Sequence, residues 1–112
     1  MNFEEEILVF KALSDSNRLK IIDMLSCSCN EMCACHMLES FDITQPTLSH
    51  HMRILIGADI VILRKQGSWN YYSINKEKIA CINEFLKNII VNRDKCYCDG
   101  KKLGKEEQNE RD

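Results

Sequence analysis

At 112 residues, 45% of them hydrophobic, with a net charge of −2, the chain has room for one domain and a tail, and it lacks the bulk basicity that announces a nucleic-acid binder. No apolar run is long enough to cross a bilayer, and Glu4, Glu5 and Glu6 stand where a secretory leader would be basic, so the reading is a cytoplasmic protein with no membrane partner. In that compartment the seven cysteines are thiols rather than structural staples.

The first helix is predicted over 2–13, with Phe3, Ile7 and Phe10 on one face. Asp15 or Ser16 can cap a second helix reaching Leu25, with Leu19, Ile22 and Leu25 turned inward. Residues 27–31 read as a short link, and a third, short helix covers 33–40. Thr44 is a good cap for a fourth helix, where Pro46 is tolerated in the first turn and Leu48, Met52 and Leu55 face the core; Gly57 fits its end. The runs 60–63 and 69–74 are strand-like and are joined by Gln66-Gly67-Ser68 as a hairpin. Asn75 can cap a last long helix striped with Ile79, Ile82, Leu86 and Ile89. Residues 1–94 therefore form the domain, and 95–112 a polar, cysteine-containing tail.

Charge follows this organisation. The ends are acidic, whereas the stretch 43–78 sets Arg53, Arg64, Lys65, Lys76 and Lys78 against Asp59 and Glu77, as a phosphate-contacting surface would. Six cysteines fall into Cys-x-Cys pairs, namely Cys27/Cys29, Cys33/Cys35 and Cys96/Cys98, and only Cys81 stands alone.

The expected fold class is mainly α with a small β-hairpin, an α+β winged helix-turn-helix in the order ααααββα. The runs LSDSNRLKIIDML, MCACHMLESFDITQPTLSHHMRIL and ILRKQGSWNYYSIN, in one register over about residues 3–93, narrow it further. Together they resemble the ArsR/SmtB family of metal- and metalloid-sensing repressors, in its arsenic-responsive branch. That resemblance implies a homodimer, formed through the first and last helices, that binds double-stranded operator DNA at an inverted repeat and lets go on binding its inducer.

Polar side chains at the start of a helix can reach base edges in the major groove, and Gln pairs bidentately with adenine. Gln45, Thr47, Ser49, His50 and Arg53 are the candidate DNA-facing set. His50 and His51 point ~100° apart on a helix, so one faces DNA and the other packs or caps. Arg64, Lys65 and Gln66 on the hairpin are placed to lie along the phosphate backbone or to reach the minor groove. Trp69, Tyr71 and Tyr72 read as packing residues.

Cys33 and Cys35 match the position of the family's inducer ligands. Two residues apart on a helix do not face each other, so joint chelation there requires an unwound helix start. Sulfur donors select soft ions, As(III) or Sb(III), with Cd(II) or Pb(II) as the alternative, and no organic cofactor is called for. The arsenite branch often has a third cysteine where this chain has Leu38. A third sulfur is then Cys29 or Cys27, the former brought onto the face of Cys33 by a backward-extended helix, or Cys96 or Cys98; the alternative is that two sulfurs suffice. Zinc-sensing members carry Asp and His ligands on the last helix, where residues 79–93 here hold no His and only Glu84 as an acid. A thiol redox-sensing repressor is a competing reading, with Cys27 or Cys29 bonded to Cys96 or Cys98 because Cys33 and Cys35 are too close for an easy bond. Nothing in the sequence supports an enzyme: there is no phosphate loop and no nucleophile with a matched base.

Overall fold

Helices α1, α2, α4 and α5 begin at a recognisable cap or charge pattern, whereas α3 has neither. In the computed structural model, which describes residues 2–27 and 31–91, α1 (Glu4–Leu13) opens on three glutamates that complement the positive end of its dipole, with Lys11 in its last turn. Val9 and Ala12 are its buried residues, while Phe3, Ile7, Leu8 and Phe10 are exposed. The expected apolar stripe is therefore present, but turned outward in the single chain.

Asp15, not Ser16, caps α2 (Ser16–Cys27): its Oδ2 accepts the backbone N–H groups of Asn17 at 2.9 Å and Arg18 at 3.2 Å. Those bonds, the one from Arg18 foremost, hold the Asp15 carboxyl below its ordinary value of 3.8. Its stabilising share is thus present above that value and is lost as pH falls through the lower folded one. Asp15→Asn keeps a capping oxygen without the charge. The melting-temperature advantage of the wild type over this variant is expected to shrink below about pH 3.9; an advantage constant from pH 3 to 6 would contradict the assignment. On α2 the inward face is Ile21 and Leu25, with Ile22 half-buried, and Leu19 is exposed. Leu19 lies about 200° around the helix from Ile21, so the two cannot share the core face.

The chain then makes a two-residue strand, β1 (Met32–Cys33), before α3 (Ala34–Ser40). This strand was not expected: two residues carry no periodicity from which to read it. It corrects the order to ααβααββα and moves the start of the third helix from Cys33 to Ala34.

Thr44 caps α4 (Gln45–Gly57) by accepting the N–H of Thr47 at 3.3 Å, with Pro46 in the first turn. Leu48, His51, Met52 and Leu55 form its buried face. Its C-terminal turn is closed by the Ala58 N–H on the Ile54 carbonyl, and the left-handed residue beyond is Asp59 (φ 66°), rather than Gly57. Asp is among the few non-glycine residues that occupy that region readily.

Strands β2 (Val61–Gln66) and β3 (Trp69–Ile74) form the hairpin, paired from Val61↔Ile74 to Gln66↔Trp69. Gly67 takes the left-handed first position of the two-residue turn (φ 61°). Beside it β1 adds antiparallel to β3, with Met32 opposite Tyr72 and Cys33 opposite Tyr71, so the sheet order is β1-β3-β2. Asn75 accepts the N–H of Lys78 at 3.2 Å and caps α5 (Lys76–Leu86), which continues into a π-helical turn, Lys87–Val91. Two units are resolved along the chain, Met1–Ala80 and Cys81–Asp112. No helix is long and apolar enough to cross a membrane, among the described residues.

The core of the first unit is built around Val9, Ile21, Met37, Met52, Leu55 and Ile60, each at most 1% exposed. Emptying Leu55 to Ala is expected to cost about 2–5 kcal/mol, read as a drop in chemical-denaturation midpoint without a change of slope. A loss below 1 kcal/mol would place Leu55 outside the load of the core.

Candidate sulfur centre and nucleic-acid interface

Cys33 ends β1 in an extended conformation (φ −71°, ψ 142°) and is also the residue that precedes the first turn of α3; Cys35 is the second residue of that helix. The chain therefore turns from strand to helix between them. Cys33 stands outside the helix, so the condition set for the pair to converge, a helix start that does not include both, is met at this corner: the Cα atoms are 5.4 Å apart and the two sulfurs meet. Reduced to thiolates, the same convergence gives two soft donors aimed at one point.

The route by which Cys29 was to reach Cys33, a helix extended backward, does not exist, because Met32 and Cys33 are strand. Cys27 is exposed and free at the end of α2. Cys29, Cys96 and Cys98 lie outside the described residues. Among the described residues, no three His, Cys, Asp or Glu side chains converge as a metal site.

The sulfur pair lines a cleft of about 190 Å³. Its other walls are Ala34 and Leu38 from α3, Gln45 at the start of α4, and Ser68, Trp69 and Asn70 from the hairpin tip and β3. Trp69, expected to pack, is instead 54% exposed at this cleft, and Tyr72 is the aromatic that enters the core. Burial pushes the Tyr72 hydroxyl above its ordinary range.

On α4 the expected polar set is placed outward. Gln45, Ser49, His50 and Arg53 are exposed, and Gln45, Ser49 and Arg53 follow one another at four-residue intervals along one side. Thr47 is half-buried, and its hydroxyl lies 2.9 Å from that of Thr44, so it belongs as much to the cap as to the surface. The adjacent histidines part company as expected: His50 is exposed and His51 is 7% exposed.

His51 is part of a fastening that sequence reasoning missed. Arg18 donates from Nη1 to His51 Nδ1 at 3.1 Å and from Nε to the Ala12 carbonyl at 2.6 Å, while Asp15 Oδ2 stands 3.9 Å from the same histidine nitrogen. Since arginine can only donate, His51 Nδ1 accepts here. One guanidinium thus ties α1, α2 and the buried face of α4, fixing the angle at which the polar face is presented.

The hairpin differs from expectation in one respect. Lys65 is exposed, but Arg64 is engaged by Glu31 in a two-bond fork, Nε to Oε2 at 2.7 Å and Nη2 to Oε1 at 2.8 Å. Its remaining nitrogen, Nη1, donates to Gln66 Oε1 at 2.9 Å, and its guanidinium lies 4.6 Å above the Tyr71 ring. The Arg64 hydrogen bond holds the Glu31 carboxyl below its ordinary range, and Glu31 in turn pushes Arg64 up. Glu31 carried no signal in the sequence, because its partner is 33 residues away.

Comparison with known proteins agrees with this architecture. Residues 15–62 match the family described as bacterial regulatory protein, arsR family. The arsenical resistance operon repressor of Staphylococcus xylosus is 42% identical over 104 residues, covering 93% of this chain and 98% of that protein. A cadmium resistance transcriptional regulatory protein CadC homolog of Staphylococcus aureus is 41% identical over 76 residues, 68% of this chain and 62% of that protein. Among solved structures, an ArsR-like transcriptional regulator from Rhodococcus sp. RHA1 superposes with a TM-score of 0.69 at 22% identity, covering 78% of each chain. With a winged helix-turn-helix fold and a relative of this identity spanning nearly its whole length, the chain belongs to the bacterial arsR family and is a DNA-binding transcriptional regulator, not an enzyme.

Proposed function

We propose that this regulator represses a metalloid-resistance operon, binding an inverted-repeat operator as a homodimer and leaving it when arsenite or antimonite is held by the thiolates of Cys33 and Cys35. The observation that carries the reading is the convergence of those two sulfurs at the strand-to-helix corner. They do so in a cleft shared with Gln45 of the DNA-facing helix and with the hairpin tip. A ligand there touches both elements that would meet DNA, so its binding energy can differ between the bound and released forms, as any switch requires. The donors fit a soft ion and exclude Mg²⁺ and Ca²⁺, which take oxygen ligands. A third sulfur, from Cys29 or Cys27 upstream or from Cys96 or Cys98 downstream, would complete the preference of arsenite for three.

The base-reading set is Gln45, Thr47, Ser49 and His50, with Arg53, Arg64, Lys65 and Gln66 on the phosphates. The outward stripe of α1 supports the dimer, since Phe3, Ile7 and Phe10 are apolar surface that a second copy would cover; the last helix is its expected companion. A second reading, induction by cadmium or lead, is favoured by the likeness to the cadmium resistance regulator.

The test is fluorescence anisotropy of the reduced protein on a labelled inverted-repeat duplex from its own promoter, titrated in parallel with arsenite, antimonite, cadmium, lead and zinc. Release by arsenite or antimonite supports the first reading and release by cadmium or lead the second. Binding indifferent to every ion rejects both.

A further inference from the structure

The sheet puts the sulfur site and the hairpin arginine on one rung. Cys33 is the register partner of Tyr71, and Tyr71 is the register partner of Arg64 on its other side. Directly opposed residues project to the same face of a sheet, and so do residues two apart on one strand. Gln66 follows Arg64 by two on β2, and Glu31, just before β1, is brought to the same surface by its two bonds from Arg64. There the Arg64 guanidinium crosses above the Tyr71 ring and grips Glu31 with two nitrogens and Gln66 with a third. Each of the three Arg64 nitrogens thereby donates one hydrogen bond, two to the residue just before β1 and one to its own strand.

An exposed ion pair of this kind contributes little to stability, Arg64 and Glu31 being 48% and 30% exposed at the side chain. What it does is decide where a guanidinium is available. A fork through Nε and Nη2 serves a carboxylate or a phosphate but not both at once, so while Glu31 holds that edge Arg64 cannot offer it to DNA. The clasp is closed in a structure whose two sulfurs are drawn together.

Resting on the function proposed above, we infer that Arg64 is a shared group: it leaves Glu31 for a DNA phosphate when the sulfurs are free, and ligation at Cys33 and Cys35 keeps it on Glu31, so that Glu31 couples the sulfur site to the hairpin. In this role Glu31 and Arg64 are positioning residues that act on release without touching the inducer.

The experiment is the salt dependence of DNA binding, by anisotropy on the inverted-repeat duplex, with and without arsenite. Each phosphate contact contributes about 0.9 to the log–log salt slope. Arg64→Gln is expected to lower the slope of the arsenite-free protein by about 0.9 and to leave that of the arsenite-loaded protein unchanged. Glu31→Gln is expected to restore the contact to the loaded protein, raising its slope by about 0.9. It is also expected to reduce the weakening caused by arsenite, ordinarily about 5–150-fold for two coupled sites, to less than in the wild type. Arg64→Lys, which keeps a cation but cannot form the fork, is expected to release poorly in the same way, so the conclusion does not hang on one variant. An Arg64→Gln slope equal to wild type in the arsenite-free protein, or an arsenite response undiminished in both Glu31→Gln and Arg64→Lys, overturns the inference and leaves the sulfur-site reading standing. Arsenite that fails to loosen even the wild type overturns both.

Discussion

Cys33→Ser is expected to bind operator DNA as tightly as the wild type and to ignore arsenite. Serine keeps the size of the side chain and the strand-to-helix corner at Ala34, so the geometry of α4 has no reason to change. What is lost is a soft donor: a hydroxyl remains protonated near neutral pH and does not replace a thiolate toward a metalloid. With one sulfur left in the described site, the differential binding energy that drives release, about 3 kcal/mol for a switch of over a hundredfold, disappears. Cys81→Ser supplies the control, because Cys81 is an exposed, free thiol on α5. It is expected to respond fully. Anisotropy of both variants on the same duplex checks the pair, and a Cys33→Ser protein still released at wild-type arsenite concentrations would remove the sulfur corner from the mechanism.

The second large effect is expected at the start of α4. Gln45→Ala should weaken operator binding by about 1–3 kcal/mol and relax the preference at a single base-pair position, while binding to an unrelated duplex stays unchanged. The position supports this: Gln45 is the first residue of the helix, exposed, and held there by the Thr44 cap. Lys65→Ala provides the contrast. A lysine on the exposed hairpin is expected to act on phosphate alone, so its removal should weaken all duplexes alike and lower the salt slope by about 0.9. Binding to operator and to random duplexes measured over a range of salt separates the two patterns. Equal losses on both duplexes for Gln45→Ala would mean that this residue does not read bases.

The parts of the molecule that were legible in advance are those set by neighbours in the chain. Thr44 and Pro46 announce α4, the four-residue spacing of Leu48, Met52 and Leu55 chooses its buried side, and Gly67 marks the turn between β2 and β3. By elimination the outward polar set follows, and it lies where the spacing puts it. Less was legible at α1 and α2, where apolar residues outnumber the buried positions. Spacing turns Leu19 inward and gives the Phe3–Ile7–Phe10 stripe no direction, whereas the single chain selects Val9, Ala12, Ile21 and Leu25. Periodicity reports that a stripe exists and not which of two stripes another element covers.

The helices, the hairpin, the polar face of α4 and the paired soft donors can be read from the chain alone, because caps, turns and side-chain periods act over a few residues. Only the tertiary structure decided that Cys33 belongs to a strand, that this strand adds to the hairpin, and that the corner after it turns two cysteines toward each other. It alone also paired Arg64 with Glu31 and Arg18 with His51, each across 33 positions of chain. Such contacts depend on where whole elements dock, and a two-residue strand or an ion pair between distant segments leaves no local pattern from which to read it.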